Sequence, residues 1–244
     1  MALKGKLYLA PVKNPQRIFD LGTGTGIWVI EVADEHPEAV VEGIDLSPIQ
    51  PTWIPPNARF EILDYNSDWV DGEKYDLIHA RELLGTVPDW VEMYRNVYRY
   101  WNTSFVLKQL DSIADSHGGH GRSLKPGGWF DQAEPSPFPT SDHVKLEDDH
   151  AYPQWAKAIR AAGEKAGLSF DVGPYIKSRL EQVGFVNVHE YRMPWTIGGW
   201  SKDKHQREVG QWYVCNDTVS ALYESDKECL DNRKVTYTST YCSL

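Results

Sequence analysis

The sequence predicts an α/β fold with a mostly parallel, doubly wound sheet. Short apolar runs that have the character of strands alternate with helical segments, and this order produces a parallel sheet with crossover helices. The first apolar run is followed by a turn with glycine at every second position, Gly22, Gly24 and Gly26, and a helical segment begins directly after it. Such a strand-turn-helix unit lets the backbone approach a ligand closely at the carboxyl edge of the sheet.

Apolar patterns predict the individual elements. Strands are expected at residues 18–19, 40–44, 59–63, 75–78, around 129–130 after the turn at 126–128, at 185–191 and at 234–241. Helices are expected at residues 27–35, 88–101, 155–166 and 175–183. The second helix carries an aromatic stripe at helical spacing. The proline-rich residues 48–56 cannot be helical and are expected to run extended over the surface.

The glycine turn carries the strongest functional signal. Asp20 stands two places before Gly22, and a carboxylate there would repel a bare phosphate, so a cationic ligand fits better. S-adenosylmethionine (SAM) has an ammonium and a sulfonium group, and D-x-G-x-G-x-G is the pattern by which class I methyltransferases hold it. The dinucleotide fingerprint G-x-G-x-x-G fails, because Ile27 or Val29 stands where its last glycine is required.

Polar residues at the ends of the predicted strands extend this site. Asp45 ends the second strand, about 20 residues beyond the glycines, where a doubly wound sheet places the acceptor for ribose hydroxyls. Asp64 and Tyr65 follow the third strand and could accept from an adenine amino group and cover its ring. His79 follows the fourth. The predicted cofactor-binding residues are Asp20, Gly22, Thr23, Gly24, Gly26, Asp45, Leu46, Asp64, Tyr65 and His79.

Longer motifs resemble those of the fungal LaeA-like (TAM-domain) methyltransferases. The motifs are L-Y-L-A-P from Leu7, D-L-G-T-G-T-G-I-W from Asp20, D-L-S-P-I-Q-P from Asp45 and L-K-P-G-G-W from Leu124, and the third is the most specific. The similarity covers roughly residues 3–99 and 124–215. It implies a Rossmann-like class I methyltransferase fold, SAM as the cofactor and a link to fungal secondary metabolism. It does not imply a defined methyl acceptor.

The chain departs from the LaeA-like pattern in two places. Residues 100–123 stand where the family has a short connection, and they are predicted to be an insertion, either a genuine surface loop or a retained intron. The family's N-terminal lid is expected to be incomplete, and residues 217–244 diverge from its last strand. The expected organisation is a single domain over residues 1–244.

Composition narrows the choice of partners. The chain has 25 basic and 35 acidic residues and a net charge of −10, which disfavours nucleic acid as a partner. Cys215, Cys229 and Cys242 are too few for a disulfide framework and too far apart for a zinc site, and the pair His117 and His120 lacks further ligands, so no metal is expected. No apolar run reaches the length of a membrane helix. An intracellular protein of the cytoplasm or nucleus is expected.

The leading hypothesis is a SAM-dependent methyltransferase that acts on a small metabolite or a protein. Methyl transfer depends mainly on holding donor and acceptor at near-attack distance with water excluded, so no catalytic residue is assigned. His79 and Glu134 are the candidates if the acceptor must lose a proton. The alternatives are a methyltransferase-like regulatory subunit that binds partners without transferring a methyl group and, with less support, a nicotinamide-dependent oxidoreductase.

Overall fold

The computed structural model describes residues 3, 5–66, 74–98, 123–138, 151–214 and 234–244. The predicted insertion, apart from Ser123, and residues 217–233 of the predicted divergent tail lie outside these ranges. The strands are β1 (Arg17–Leu21), β2 (Val40–Asp45), β3 (Ala58–Ile62), β4 (Lys74–Arg81), β5 (Ser123–Pro135), β6 (Val186–Thr196) and β7 (Lys234–Ser243). The α-helices are α1 (Ile27–Glu35), α2 (Trp90–Tyr98), α3 (Ala151–Ala166), α4 (Ile176–Val183) and α5 (Lys204–Val214).

The strands form one sheet in the order β3-β2-β1-β4-β5-β7-β6. Strands β1 to β5 are parallel to one another, whereas β7 lies antiparallel between β5 and β6. The doubly wound α/β fold predicted from the sequence is therefore confirmed, and so is the strand predicted at residues 234–241.

Two large apolar clusters cover the two faces of the sheet, and a third, smaller one lies at the end of β6. Adjacent residues of β1 belong to different clusters, since side chains alternate between the faces of a strand. Ile18 packs with α1 through Val29 and Val32, and Phe19 belongs to the larger cluster that contains residues of α2 and α4. Burial of each large apolar side chain contributes about 1.5–3 kcal/mol, so these clusters hold the strand ends in fixed positions.

Strand β5 begins earlier than the sequence suggested. Leu124 is fully buried and pairs with Tyr75 of β4, before the Pro-Gly-Gly turn that was expected to introduce the strand. The register shifts between Tyr75 and Leu77, and Gly127 has a φ of +72°. The turn is therefore a bulge inside β5, because the chain on both sides of it pairs with β4.

Four other elements differ from the sequence prediction. Strand β4 continues to Arg81 because it pairs with β1 as far as Ala80 and with β5 as far as Arg81. Strand β6 continues to Thr196 because β7 pairs with it over that length. Helix α5 was not predicted, and α3 begins at Ala151, earlier than expected. In the described part of the chain, every helix is too short or too polar to cross a membrane.

Candidate cofactor site

The glycine turn after β1 adopts a backbone shape that favours glycine. Gly22, Gly24 and Gly26 have φ values of +67°, +56° and +78°, a region that other residues rarely enter. Packing adds a second requirement at two of them. A Cβ at Gly22 would lie 2.5 Å from Cδ2 of Leu83, and one at Gly26 would collide with the ring of Phe60. The space around Gly24 is open, since a Cβ there would have no atom within 4 Å beyond its chain neighbours.

Asp45, the last residue of β2, ties this turn to the loop that follows. Its Oδ2 accepts a hydrogen bond of 2.8 Å from the Gly24 amide, and its Oδ1 accepts one of 2.9 Å from the Ser47 amide. Gln50 donates from Nε2 to the Gly24 carbonyl at 2.6 Å. Each carboxylate oxygen keeps a second lone pair for another donor. Leu46 lies beside this carboxylate and is exposed.

Asp64 and Tyr65 follow β3 on the same edge of the sheet. Asp64 is half-buried and accepts a 2.8 Å hydrogen bond from the Asn66 amide through Oδ1. The Tyr65 ring is buried, and its hydroxyl is hydrogen-bonded to the hydroxyl of Thr86. Burial raises the pKa of Tyr65. Both residues thus lie at the carboxyl edge of the sheet, as the glycine turn does. Their contacts with adenine stay predictions.

His79 lies inside β4 and not after it, so the expectation that β4 ends before His79 is wrong. Its side chain is 1% exposed. Its Nδ1 is 2.7 Å from Oδ1 of Asp20, and its ring stacks on Trp28 with centroids 3.9 Å apart. His79 therefore lies behind the glycine turn, where it positions the Asp20 carboxylate. Direct contact of either side chain with a ligand is disfavoured, because both are almost completely buried.

Sequence reasoning missed Asp131 of β5. Residues Asp20, His79 and Asp131 are side by side in the register of three neighbouring strands. Oδ2 of the buried Asp131 accepts hydrogen bonds from the amides of Leu9 and Ala10, at 2.7 and 2.8 Å. Burial raises the pKa of Asp131, and the nearby His79 opposes this shift. The sequence signal was a carboxylate directly after the apolar pair Trp129-Phe130, inside a predicted strand.

Glu134, near the carboxyl end of β5, supports the loop after β4. Its Oε1 and Oε2 accept hydrogen bonds from the amides of Leu83 and Leu84, at 3.2 and 3.1 Å. Burial raises the pKa of Glu134 to about 8, and the negative charge of Glu82 adds to the shift. Because the Leu83 side chain contacts the glycine turn at Gly22, Glu134 acts on the candidate site through this loop.

The strand order with one antiparallel strand, the open glycine turn after β1 and the carboxylate at the end of β2 together define a Rossmann-like class I methyltransferase fold. Solved structures with this fold include the two that follow. A phosphoethanolamine N-methyltransferase 2 from Haemonchus contortus, in complex with S-adenosyl-L-methionine, has a TM-score of 0.57 at 14% identity, with 96% of this chain and 50% of that chain covered. A SAM-dependent methyltransferase from Mesorhizobium loti has a TM-score of 0.50 at 17% identity, with 96% and 93% covered.

The chain belongs to the methyltransferase domain family, whose model matches residues 2–190. Methyltransferase pytC from Aspergillus terreus is 33% identical over 210 residues, which is 85% of this chain and 58% of that protein. The secondary metabolism regulator LAE1 of Cochliobolus heterostrophus is 34% identical, with 87% and 64% covered. The protein-methionine methyltransferase laeA of Emericella nidulans is 32% identical, with 90% and 52% covered. The LaeA-like resemblance is confirmed, and the chain spans between about half and two thirds of these relatives.

Proposed function

We propose that the protein is a SAM-dependent methyltransferase that acts on a small molecule or a protein in fungal secondary metabolism. The observation that carries this proposal is the glycine turn, which is open at Gly24 and held by the Asp45 carboxylate. The names of the relatives support the link to secondary metabolism and to methyl transfer. Of these three names, one includes an acceptor, protein methionine, and the other two include none, so the acceptor is proposed by class.

The residues of the turn fit SAM. The remaining lone pairs of Asp45 suit two ribose hydroxyls, as expected for a carboxylate at the end of the second strand. The open backbone at Gly24 leaves room for a ligand to approach the chain closely. Thr23 has a buried hydroxyl for which the described part of the chain offers no hydrogen-bond partner. The buried charge of Asp20 lies beneath the turn and supports the ligand's ammonium group indirectly.

SAM, when bound, supplies an electrophilic methyl group that moves to the acceptor by in-line displacement. The contribution of the chain is to hold the two reactants in line and exclude water. The loop after β4, fixed by Glu134, borders the turn at Gly22 and contributes to this positioning. Glu134 is fully buried and both of its carboxyl oxygens accept from this loop, so it positions the loop and is a poor base for an acceptor that must lose a proton.

A second candidate function is a regulatory subunit that binds SAM and partner proteins without transferring a methyl group. Its support is that several relatives are named as secondary metabolism regulators. Both candidates need the same cofactor site, so cofactor binding tests what they share and turnover separates them.

The test is calorimetric titration of the protein with S-adenosylhomocysteine, the product form of the cofactor. Asp45→Ala removes charge-assisted hydrogen bonds worth roughly 1.5–3 kcal/mol, so affinity should fall about tenfold to a hundredfold. The matched control is Asp34→Ala, which removes the same charge from an exposed position on α1 and should leave affinity unchanged. Urea unfolding of each variant shows whether the fold is retained.

Three outcomes are informative. Equal affinity of Asp45→Ala and the unmodified chain for S-adenosylhomocysteine would show that Asp45 does not bind the cofactor. Binding of NAD in place of S-adenosylhomocysteine would overturn the proposal in favour of an oxidoreductase. Tight binding of S-adenosylhomocysteine favours the regulatory subunit if no methyl transfer is detected. The acceptors to test are the small molecules and the proteins extracted from a fungus that makes secondary metabolites.

A further inference from the structure

Strand β3 forms one edge of the sheet. It is last in the strand order, and within the described ranges it pairs with β2 alone. The Val41 amide donates to the Asn57 carbonyl, and the Leu63 amide donates to the Asp45 carbonyl. Backbone groups of successive residues in a strand point to opposite sides. The odd-numbered residues of β3 therefore face β2, and the amide and carbonyl of Phe60 point outwards, away from the sheet.

The sequence of β3, A-R-F-E-I, is complementary to itself in an antiparallel pair. If two copies pair with Phe60 opposite Phe60, Arg59 of each copy lies opposite Glu61 of the other, and Ala58 lies opposite Ile62. Arg59 and Glu61 are both exposed. Opposite charges, paired aromatic rings and paired apolar side chains all stabilise cross-strand neighbours. The outward backbone groups of Phe60 also have the orientation that a hydrogen-bonded pair requires.

The surface next to this edge is apolar. Ile62 is 64% exposed, and Trp53, on the loop between β2 and β3, is 93% exposed. Pro51, Ile54 and Ile62 line a groove between this loop and β3. A sheet edge presents outward backbone groups to which another strand can pair, and contiguous apolar surface marks a contact site. The alternation of charge along β3 favours a second copy of this chain as the partner.

We propose that β3 pairs with β3 of a second copy, so that the protein forms a two-fold symmetric dimer with one continuous sheet. A two-fold interface uses the same patch on both subunits, and a self-complementary strand satisfies this requirement. The Phe60 ring lies against Gly26 of the candidate cofactor turn. Phe60 therefore links the dimer contact to that turn. The proposed dimer does not depend on methyl transfer.

Sedimentation equilibrium over a range of protein concentrations tests the dimer. The unmodified chain should associate to a dimer. Arg59→Glu brings the new carboxylate opposite Glu61 of the other copy, twice per dimer, and Glu61→Arg likewise brings two arginines opposite each other. Each change should raise the dimer dissociation constant about tenfold. The double variant, in which Arg59→Glu and Glu61→Arg are combined, restores opposite charges and should return the dissociation constant to within about threefold of the original.

Matched controls are available on α4. Lys177→Glu and Glu181→Lys change net charge by the same amounts as the β3 variants, in an exposed ion pair with a distance of 3.8 Å. They should leave the dimer unchanged. A third variant, Ile62→Pro, removes an outward-pointing amide hydrogen and leaves the Leu63 to Asp45 hydrogen bond in place. It should abolish the dimer while far-UV circular dichroism shows a folded chain.

Several results would overturn the proposal. A protein that stays monomeric at every concentration has no such interface. A dimer that persists in Ile62→Pro forms through another surface. A dimer that Lys177→Glu weakens as much as Arg59→Glu does depends on net charge and not on the β3 pair. A double variant that is no tighter than the two single variants excludes pairing centred on Phe60.

Discussion

The two faces of β5 each carry a buried carboxylate that holds a loop by two backbone amides, yet their electrostatic surroundings differ. Asp131 accepts from the amides of Leu9 and Ala10, before β1. It lies near the side chains of His79 and Arg81, which both act to lower its pKa. Glu134 accepts from the loop after β4 and lies near the negative charge of Glu82.

The comparison shows that two carboxyls with the same hydrogen-bond geometry can differ in pKa, because their charged neighbours differ. Burial raises the pKa of both carboxyls, because it disfavours the charged form. At Asp131, attraction to His79 and Arg81 opposes the shift. At Glu134, repulsion from Glu82 adds to it, and the pKa reaches about 8. The loop that borders the candidate cofactor site is therefore held by the group whose charge changes near neutral pH.

The largest expected effect is the pH dependence of unfolding that Glu134 causes. Its pKa is raised from 4.5 to about 8 in the folded chain, so the folded state holds a proton that the unfolded state has lost between these values. The free energy of unfolding should therefore fall as pH rises from about 4.5 to about 8, by on the order of 4 kcal/mol from this group. Urea unfolding at pH ~5 and pH ~8.5 measures the fall.

Glu134→Gln isolates this contribution, because glutamine has no charge to gain. The variant should lose much less stability than the unmodified chain between the two pH values. Asp131→Asn is the comparison on the other face, and it should change the pH dependence less, because the carboxyl it replaces has attractive neighbours. An identical pH dependence in Glu134→Gln and the unmodified chain would contradict the assignment to Glu134.

The next effect concerns the segment before β1. Asp131→Ala leaves the amides of Leu9 and Ala10 without their acceptor and should destabilise the protein by about 2–4 kcal/mol. Hydrogen exchange at these two amides should accelerate. Asp76→Ala is the control, since Asp76 also accepts from two amides, those of Gln16 and Arg17, but is partly exposed. Its ion pair with Lys125, at 2.8 Å, is partly exposed as well and should contribute little. Water can replace the carboxylate there, so a loss of about 1 kcal/mol is expected. Equal losses would show that burial does not decide the cost.

The shape of the glycine turn could be predicted from the sequence because its signals are local. Glycines at every second position favour a turn with positive φ, and the carboxylate of Asp45 follows directly from the end of an apolar run. The row formed by Asp20, His79 and Asp131 could not be predicted, because it depends on the lateral register of three strands. The polar residues after Ile78 also made β4 look shorter than it is.

Helix α5 shows a second limit of the sequence. Gly210 interrupts its pattern, and glycine inside a helix costs about 1 kcal/mol relative to alanine, so the helical signal is weak. In the structure a Cβ at Gly210 would collide with the Gly198 carbonyl and with Thr196. The glycine is needed for close packing of the helix against the end of β6, a contact that no local pattern contains.

The smallest expected effect compares one tyrosine hydroxyl on each face of the sheet. Tyr94 is fully buried and donates to Oε1 of Gln132 at 2.9 Å. Tyr94→Phe leaves that oxygen buried without its donor, which should cost about 1–2 kcal/mol. The Tyr8 hydroxyl is 2.9 Å from Nε2 of His36 at a partly buried position. Tyr8→Phe should cost less than about 0.5 kcal/mol, because water can reach His36.

Urea unfolding at one pH measures both tyrosine variants, and their difference sharpens the comparison of the two faces. Gln132 also donates to Glu134 at 3.3 Å, so Tyr94 belongs to the network that holds the loop after β4. If Tyr94→Phe costs no more than Tyr8→Phe, that network contributes little, and the loop must then be fixed mainly by apolar packing of Leu83 against the glycine turn.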